Sequence, residues 1–211
     1  MKHYIFDLDG TLTDTNGMWA LVDVAFLARR GLSPTAEYTD AVARAIFPTA
    51  AAYTKAYYRL SDSPEAIMAE WESLAEAHYR ELAPLKPGAM ALLEKCRAEE
   101  RPMSLFTACR PSLCAAVLER FGLAPFFRHI VYAEELGLEK HDPACFLALS
   151  KRIGAEPENC VLIDDSPSNC ATAATAGMET VGVYDDFYAA RQEELQAVCT
   201  HYVKSLEELL S

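Results

Sequence analysis

Two aspartates near the start of the chain, Asp7 and Asp9, have the type and spacing for chemistry. They follow Tyr4 to Phe6, a short apolar run of strand-favouring residues, and Gly10 comes next, where it would turn the chain. Side chains two residues apart on a strand share a face, so we expect the two carboxylates to project together. Paired carboxylates repel each other, and a bound divalent cation commonly offsets that repulsion. Taken alone, the pair could also be a solvated acidic turn.

Three further polar residues stand at the ends of predicted strands. Thr107 follows one apolar run, and Asp164 and Asp165 follow another. In an open parallel sheet, ligands bind outside the carboxyl ends of the strands. The sequence therefore predicts that these residues and the first two aspartates meet at one edge of a sheet.

The elements that would position these residues alternate between helix and strand in the second part of the chain. Periodicity and capping signals predict helices over 89–99, 112–121, 143–152, 167–177 and 187–198, a last helix from 205, and strands over 103–107, 130–132, 160–163 and 180–183. This alternation is typical of an α/β fold with a doubly wound parallel sheet and crossover helices.

The first part of the chain is different, because residues 15–85 have helical periodicity and no convincing strand. The clearest helix begins at Ser63 and Pro64, which supply an N-cap and a first-turn proline. Three earlier segments repeat the period, so we expect four helices in a small bundle, with their aromatic residues in its core. The sequence thus predicts a discontinuous α/β core, 1–14 and 86–211, interrupted by a helical domain at 15–85.

Charge excludes two classes of partner. The chain of 211 residues has a formal net charge of -12 and an isoelectric point near 4.8. No basic stripe is present to neutralise phosphates, which argues against nucleic acid and against anionic membranes. No apolar run approaches the ~20 residues of a membrane helix. An anionic substrate would need a local positive site.

Cysteine usage indicates a reducing compartment. The seven cysteines form an odd set with no CxxC pair, so we interpret them as reduced thiols. The first predicted strand begins almost at once and leaves no room for a targeting peptide. We therefore expect a cytoplasmic protein.

Four sequence motifs resemble those of the haloacid dehalogenase superfamily. Within it, the chain looks like the phosphatase type, which includes proteins similar to phosphoglycolate phosphatase and β-phosphoglucomutase. FDLDGTLTD at 6–14 is similar to the first motif, and LFT ending at Thr107 to the second. Lys140, shortly before Pro143, is similar to the third motif, and IDDS at 163–166 to the fourth. The resemblance covers almost the whole predicted core, whereas the helical block matches the family's inserted cap only in being helical.

The resemblance implies a phosphatase that works with Mg²⁺ through an aspartyl-phosphate. Asp7 would be the nucleophile, and Asp9 would act as general acid and then as general base. The implied Mg²⁺ ligands are the side chain of Asp7, the backbone carbonyl of Asp9, and Asp165, with Asp164 in or near the ligand shell. The implied substrate is a small phosphorylated metabolite.

The transferring phosphoryl group would also need donors and positive charge. The resemblance assigns these to the Thr107 hydroxyl, the backbone amides of Leu8 and Ala108, and Lys140, which would also pair with the nucleophile. Arg110 follows closely enough to reach a substrate group, or it is solvated.

Two positions depart from the family's usual pattern. His141 follows Lys140 where the third motif often has proline, and we expect it to be a surface residue. Asn169 stands where several relatives carry another acidic residue, and we expect it to orient the fourth-motif loop.

Other activities stay open at this point. A phosphomutase of the same family would return the phosphate to a sugar, and a phosphonate hydrolase would need a cap lysine such as Lys55 as an imine.

Asp9 argues against dehalogenation, which does not need that acid. A receiver module would carry its acceptor on a later strand than its acidic pair, and a non-catalytic binding protein is disfavoured because no catalytic position is missing.

Substrate identity has no motif in the sequence. The basic residues of the helical block, Arg44, Lys55 and Arg59, could reach over the site or be solvated. Oligomeric state is likewise not indicated.

Overall fold

A computed structural model of the protein describes residues 2–43 and 45–211. In this part of the chain, six parallel strands form one sheet in the order β3-β2-β1-β4-β5-β6. The strands are His3–Phe6 (β1), Met103–Thr107 (β2), His129–Tyr132 (β3), Cys160–Asp164 (β4), Glu179–Val183 (β5) and His201–Val203 (β6). The predicted α/β fold with a doubly wound parallel sheet is confirmed.

The helices lie between these strands and in the block that follows β1. They are Asn16–Ala28 (α1), Ala36–Val42 (α2), Phe47–Tyr58 (α3), Pro64–Ala77 (α4), Ala89–Ala98 (α5), Pro111–Phe121 (α6), Ala133–Leu136 (α7), Pro143–Ile153 (α8), Pro167–Thr175 (α9) and Gln192–Val198 (α10). A π-helical segment, His78–Leu82, continues α4, and short 3₁₀ turns occur at Ala124–Phe126, Pro157–Asn159, Asp186–Arg191 and Leu206–Leu210.

The strand order reverses in the middle of the sheet, between β1 and β4. The chain runs outward from β1 to β2 and β3, then returns to place β4 on the other side of β1. Phe6 is in register with Ile163, and the amide of Asp7 donates to the Ile163 carbonyl at 3.0 Å. Such a reversal opens a crevice at the carboxyl ends of the two strands, which is where parallel sheets bind ligands.

Both faces of the sheet are covered, and this explains why its strands read as continuous apolar runs. Ile5 points into a cluster with Phe146 and Leu149 of α8, whereas its neighbour Phe6 points into the cluster that includes Leu93 of α5 and Val117 of α6. All six side chains are fully buried. The sheet is therefore a rigid base for whatever follows its strands.

Helices α1–α4 all lie within residues 15–85, as the periodicity predicts. Helix α4 packs against α1 and α3, and α3 packs against α2. The chain enters and leaves this block through two adjacent segments, since the amide of Asp14 donates to Pro84 at 3.0 Å and the amide of Lys86 donates to Leu12 at 2.9 Å.

Four details differ from the sequence prediction. Strand β6 was not predicted, because three edge residues are too few to show an alternating pattern. The predicted helix over 187–198 is a 3₁₀ turn followed by α10, and the last helix is a single 3₁₀ turn capped by Ser205. The short helix α7 was also missed.

No helix in the described ranges combines the length and apolar composition that crossing a bilayer requires.

His3 gives the folded protein a predictable sensitivity to acid. Its ring is buried in β1 and its Nε2 lies 2.8 Å from the Ser104 hydroxyl. Burial, with smaller effects of His129 and Arg128, lowers the pKa of His3 from 6.5 to about 4. The folded state therefore excludes a proton that the unfolded state binds, so this contribution to stability is present above pH 6.5 and is lost as pH falls towards 4.

The substitution His3→Gln keeps a hydrogen-bonding side chain but removes the titration. We expect the loss of unfolding free energy between pH 7 and pH 4.5 to shrink by about 2 kcal/mol, measured by urea denaturation. The control His201→Gln removes an exposed histidine of β6 and should keep the parental loss. An unchanged pH dependence in His3→Gln would contradict this role.

Candidate active site

Three buried carboxylates meet at the carboxyl ends of β1 and β4. Asp7, Asp164 and Asp165 each offer an oxygen, and these oxygens lie within 4.8 Å of one another. Oxygen-only ligand sets of this kind suit Mg²⁺. The residues present therefore fit a divalent cation, in agreement with three of the four ligands that the sequence suggests.

The electrostatics of this cluster favour a cation as well. Burial raises the pKa of the Asp165 carboxyl well above its ordinary value, and repulsion from Asp164 and Asp7 raises it further. Burial also raises the pKa of Asp7, although Lys140 opposes that shift. Carboxylates so close together are stabilised in their charged form only when positive charge is supplied.

Lys140 supplies part of this positive charge from the loop before α8. Its Nζ donates to Asp7 Oδ1 at 2.5 Å and to the Phe106 carbonyl at 3.1 Å, and it lies 3.6 Å from Asp164 Oδ2. Burial disfavours the ammonium, but Asp7 and Asp164 outweigh it and raise the pKa of Lys140 above its ordinary value. The lysine is thus charged and fixed against the predicted nucleophile.

Asp164 is oriented by its own loop. The Asn169 amide donates to both of its carboxylate oxygens at 3.1 Å, and the amide of Ser166 donates to Oδ1 at 2.9 Å. Asn169 therefore orients the loop after β4, as expected from its position. These donors compensate a carboxylate that is fully buried.

Asp165 is held by residues from the other end of the chain. It accepts from the Thr11 hydroxyl at 3.2 Å and from Asn16 Nδ2 at 2.7 Å. Asn16 also donates to Asp185 Oδ1 at 3.1 Å, and Asp185 Oδ2 accepts from Lys86 at 2.6 Å. Sequence reasoning missed Asn16, Asp185 and Lys86, because they come from three distant segments and share no motif.

The carboxylate of Asp9 points to a different set of partners. It accepts from the Thr15 hydroxyl at 2.5 Å and from the Tyr79 hydroxyl. The Tyr79 hydroxyl in turn accepts from Trp19 Nε1 at 2.9 Å. Burial raises the pKa of Asp9, against the opposing effect of these hydrogen bonds. Asp9 is thus suited to carry a proton. Periodicity predicts only a core role for Tyr79.

The three residues predicted to donate to phosphate lie next to the carboxylate cluster; they are Thr107, Leu8 and Ala108. Thr107 ends β2 and its hydroxyl accepts from the Cys109 amide at 2.9 Å. Leu8 follows the nucleophile position directly, with its side chain fully buried, and Ala108 lines the cavity described below. Their phosphate-binding roles stay predictions.

Arg110 lies between the helical block and the core. Its guanidinium pairs with Glu134 at 2.7 Å and with Glu72 of α4. The amide of Ile46 likewise donates to Glu139 at 2.6 Å. These contacts hold the helical block against the core, and phosphate binding by Arg110 stays a prediction.

The basic residues of the helical block are placed as follows. Lys55 Nζ donates to the Asp62 carbonyl at 2.5 Å, within the block itself. Arg59 is exposed at the end of α3, and Arg44 lies outside the described residues. The position of Lys55 gives no support to an imine mechanism.

A cavity of about 190 Å³ lies between the helical block and the core, directly over the carboxylates. Core residues that line it include Asp7, Asp9, Ala108, Lys140 and Asp165; from the helical block come Asn16, Trp19, Ala20, Asp23, Thr39, Val42, Ala43, Ala45, Ile46, Phe47, Ala50 and Trp71. The aromatic residues of the block were predicted as core, and Trp19, Phe47 and Trp71 serve both as core and as cavity wall.

Comparison with known proteins shows which family this chain resembles. The family model described as haloacid dehalogenase-like hydrolase matches residues 1–177. A phosphoglycolate phosphatase of Rhodospirillum rubrum is 34% identical over 192 residues, covering 85% of this chain and 78% of that protein. Hexitol phosphatase A of Escherichia coli is 27% identical over 210 residues, covering 99% and 93%.

Among solved structures, a β-phosphoglucomutase from Clostridium difficile superposes with a TM-score of 0.83. It is 22% identical, and the match covers 99% of this chain and 93% of that one. This likeness shows the fold. Against two Pseudomonas relatives, the chain spans about two thirds of their length, 68% and 66%.

Gly10 provides a direct test of the carboxylate cluster. Its φ is +83°, and a Cβ there would lie 2.3 Å from Asp165 Oδ2 and 2.1 Å from Asn16 Nδ2. We expect Gly10→Ala to displace Asp165 and to weaken Mg²⁺ binding by at least about tenfold, measured by calorimetric titration.

Gly137→Ala is the matched control, because Gly137 has a φ of +65° and an added Cβ would meet nothing within 4 Å. It should lose about 1 kcal/mol of stability through backbone strain and keep parental Mg²⁺ affinity. Equal Mg²⁺ affinities in the two variants would refute the role assigned to Gly10.

Proposed function

Because this chain belongs to the haloacid dehalogenase-like hydrolase family, we propose that it is a magnesium-dependent phosphatase acting on a small phosphorylated metabolite. The observation that carries the proposal is the meeting of Asp7, Lys140, Asp164 and Asp165 under one cavity. Relatives named as phosphatases support a phosphoric monoester hydrolase.

The first step is attack of the Asp7 carboxylate on phosphorus. A bond forms between an Asp7 oxygen and phosphorus while the bond from phosphorus to the alcohol oxygen breaks. Asp9 gives its proton to the departing alcohol, for which its raised pKa suits it. Lys140, already 2.5 Å from Asp7, fixes the nucleophile and offers positive charge to the phosphoryl oxygens.

The second step is hydrolysis of the aspartyl-phosphate. Asp9, now ionised, takes a proton from the attacking water as that water bonds to phosphorus. The bond between Asp7 and phosphorus breaks, so inorganic phosphate leaves and both carboxyls return to their starting state. Thr107 and the amides of Leu8 and Ala108 donate to the phosphoryl oxygens in this proposal.

Mg²⁺ would be held by the side chains of Asp7 and Asp165, by Asp164 in or near the ligand shell, and by the Asp9 carbonyl. When bound, it supplies positive charge that offsets the carboxylates and the phosphoryl oxygens.

The helical block at 15–85 acts as a cap over a core of 1–14 and 86–211 in this proposal. It excludes water from the cavity during the reaction.

We also propose a cytoplasmic location for the protein. The seven cysteines, all of them free thiols, support this location.

The central prediction is that Asp7→Asn abolishes phosphate release from phenyl phosphate in the presence of Mg²⁺. The loss should reach at least about 10³-fold in kcat, because an amide cannot act as the nucleophile. Chelation of Mg²⁺ should abolish release in the parental protein as well.

Asp14→Asn is the matched control, since Asp14 is an exposed carboxylate of the same segment; it should keep parental turnover. Unimpaired turnover in Asp7→Asn would refute the proposal. Conversion of a sugar phosphate to its isomer, without net phosphate release, would favour a phosphomutase instead.

Tyr79 should matter for the proton transfers, because its hydroxyl donates to Asp9. We expect Tyr79→Phe to lower kcat about tenfold, since a hydrogen bond to a charged group contributes about 1.5 to 3 kcal/mol. Steady-state kinetics with phenyl phosphate measure this effect.

Tyr184→Phe is the control for that substitution, because the Tyr184 hydroxyl donates to Asp186 at 2.7 Å on the surface. It should leave kcat unchanged. A parental kcat in Tyr79→Phe would show that Asp9 does not need this donor.

A further inference from the structure

One face of α1 forms a continuous wall of the cavity. Asn16, Trp19, Ala20 and Asp23 all line it, and their spacing of three, four and seven residues puts them on a single side of a helix. At the end of this wall nearest the carboxylate cluster, Asn16 donates to Asp165 at 2.7 Å. The same helix therefore contacts the carboxylate cluster and reaches away from it.

The helix sets a length for the bound molecule. Asn16 and Asp23 are separated by seven residues, which corresponds to about 10 Å along an α-helix. A phosphate ester whose phosphorus lies beside Asp7 would thus extend its alcohol along α1 towards Asp23.

The carboxylate of Asp23 has no charged partner among the residues that the structure describes. Its Oδ1 accepts from the Tyr38 hydroxyl at 3.0 Å, and Tyr38 is itself fully buried beside Thr54 at 3.1 Å. Among residues 2–43 and 45–211, no cation forms a salt bridge with Asp23. Burial raises the pKa of Asp23 to about 6, so the group is ionised above that pH. A half-buried carboxylate with one neutral donor is only partly compensated.

The rest of the cavity wall that the helical block contributes is mostly apolar. Trp19, Phe47 and Trp71 pack edge to face along the cavity. In the described part of the chain, Lys140 is the one basic residue that lines the cavity, and it already pairs with Asp7. Among the residues that the structure describes, a second anionic group on the ligand would therefore meet a carboxylate and aromatic rings instead of a free counter-ion.

From this arrangement we propose that Asp23 selects the alcohol part of the substrate. The cavity takes a phosphate monoester whose alcohol carries a hydrogen-bond donor, a hydroxyl or an ammonium, about 10 Å from the carboxylate cluster along α1. It rejects alcohols that carry a carboxylate or a second phosphate. This inference rests on the proposed phosphatase activity and assigns its substrate class.

The test is a series of linear alkyl phosphates of equal chain length that differ only at the far end. The ends are methyl, hydroxyl, ammonium and carboxylate, and kcat/KM is measured for each with Mg²⁺. The hydroxyl or the ammonium ester should exceed the methyl ester by at least about tenfold, since a hydrogen bond to a charged group contributes about 1.5 to 3 kcal/mol. The carboxylate ester should be the poorest, and the better of the two donors identifies the class.

Asp23→Asn should remove most of the advantage of the donor-bearing ester and raise the carboxylate ester relative to the methyl ester. Glu76→Gln removes one carboxylate from the exposed surface of α4 and should keep the parental ranking. The inference would be overturned if the parental protein had a kcat/KM for the carboxylate ester equal to or above that for the donor-bearing esters. An unchanged ranking of the esters in Asp23→Asn would overturn it as well.

Failure of the phosphatase proposal would look different, because phenyl phosphate would then release no phosphate either. Calorimetric binding of the same series to the parental protein and to Asp23→Asn still tests the selection. In the parental protein, the donor-bearing esters should bind much more tightly than the carboxylate ester. In Asp23→Asn, this difference in affinity should be small. Equal binding of all four esters would overturn the inference.

Discussion

The site depends on one electrostatic constraint, which is that three carboxylates are buried together beside a single lysine. Asp7, Asp164 and Asp165 have oxygens within 4.8 Å of one another, and Lys140 contacts two of these residues. Such a cluster is unstable unless neighbouring groups donate to it or a cation joins it. Much of the surrounding structure meets that need. The strand order places the carboxylates. Thr11 and Asn16 donate to Asp165, and the Ser166 backbone amide and the Asn169 side chain donate to Asp164.

The same constraint links the core to the helical block. Helix α1 begins at the carboxylate cluster, through Asn16, and its side forms the cavity wall that ends at Asp23. Tyr79 and Trp19 of the block complete the environment of Asp9. A change that displaces α1 would therefore disturb the predicted metal ligands, the predicted proton donor and the cavity wall at once.

The sequence predicted the fold and the meeting of Asp7 with Asp164 and Asp165, because both follow from local patterns. Strand ends carry Asp7, Thr107 and Asp164, and parallel pairing brings strand ends together whatever the details. Asn16, Lys86 and Asp185 could not be predicted in the same way, since each acts only through contacts between distant segments. Asp23 is likewise hidden in a helix that is apolar almost all round, and the charge partners of Arg110 depend on how the block sits on the core.

The most direct measurement of the central claim is to trap the phosphorylated enzyme. The protein is mixed with a phosphate ester and Mg²⁺, quenched in acid during turnover, and digested for mapping of the phosphorylated peptide. The account predicts a phosphoryl group on Asp7, formed only when Mg²⁺ is present and lost as turnover is completed. Turnover without any covalent phosphate, or with the phosphoryl group on another residue, would contradict it.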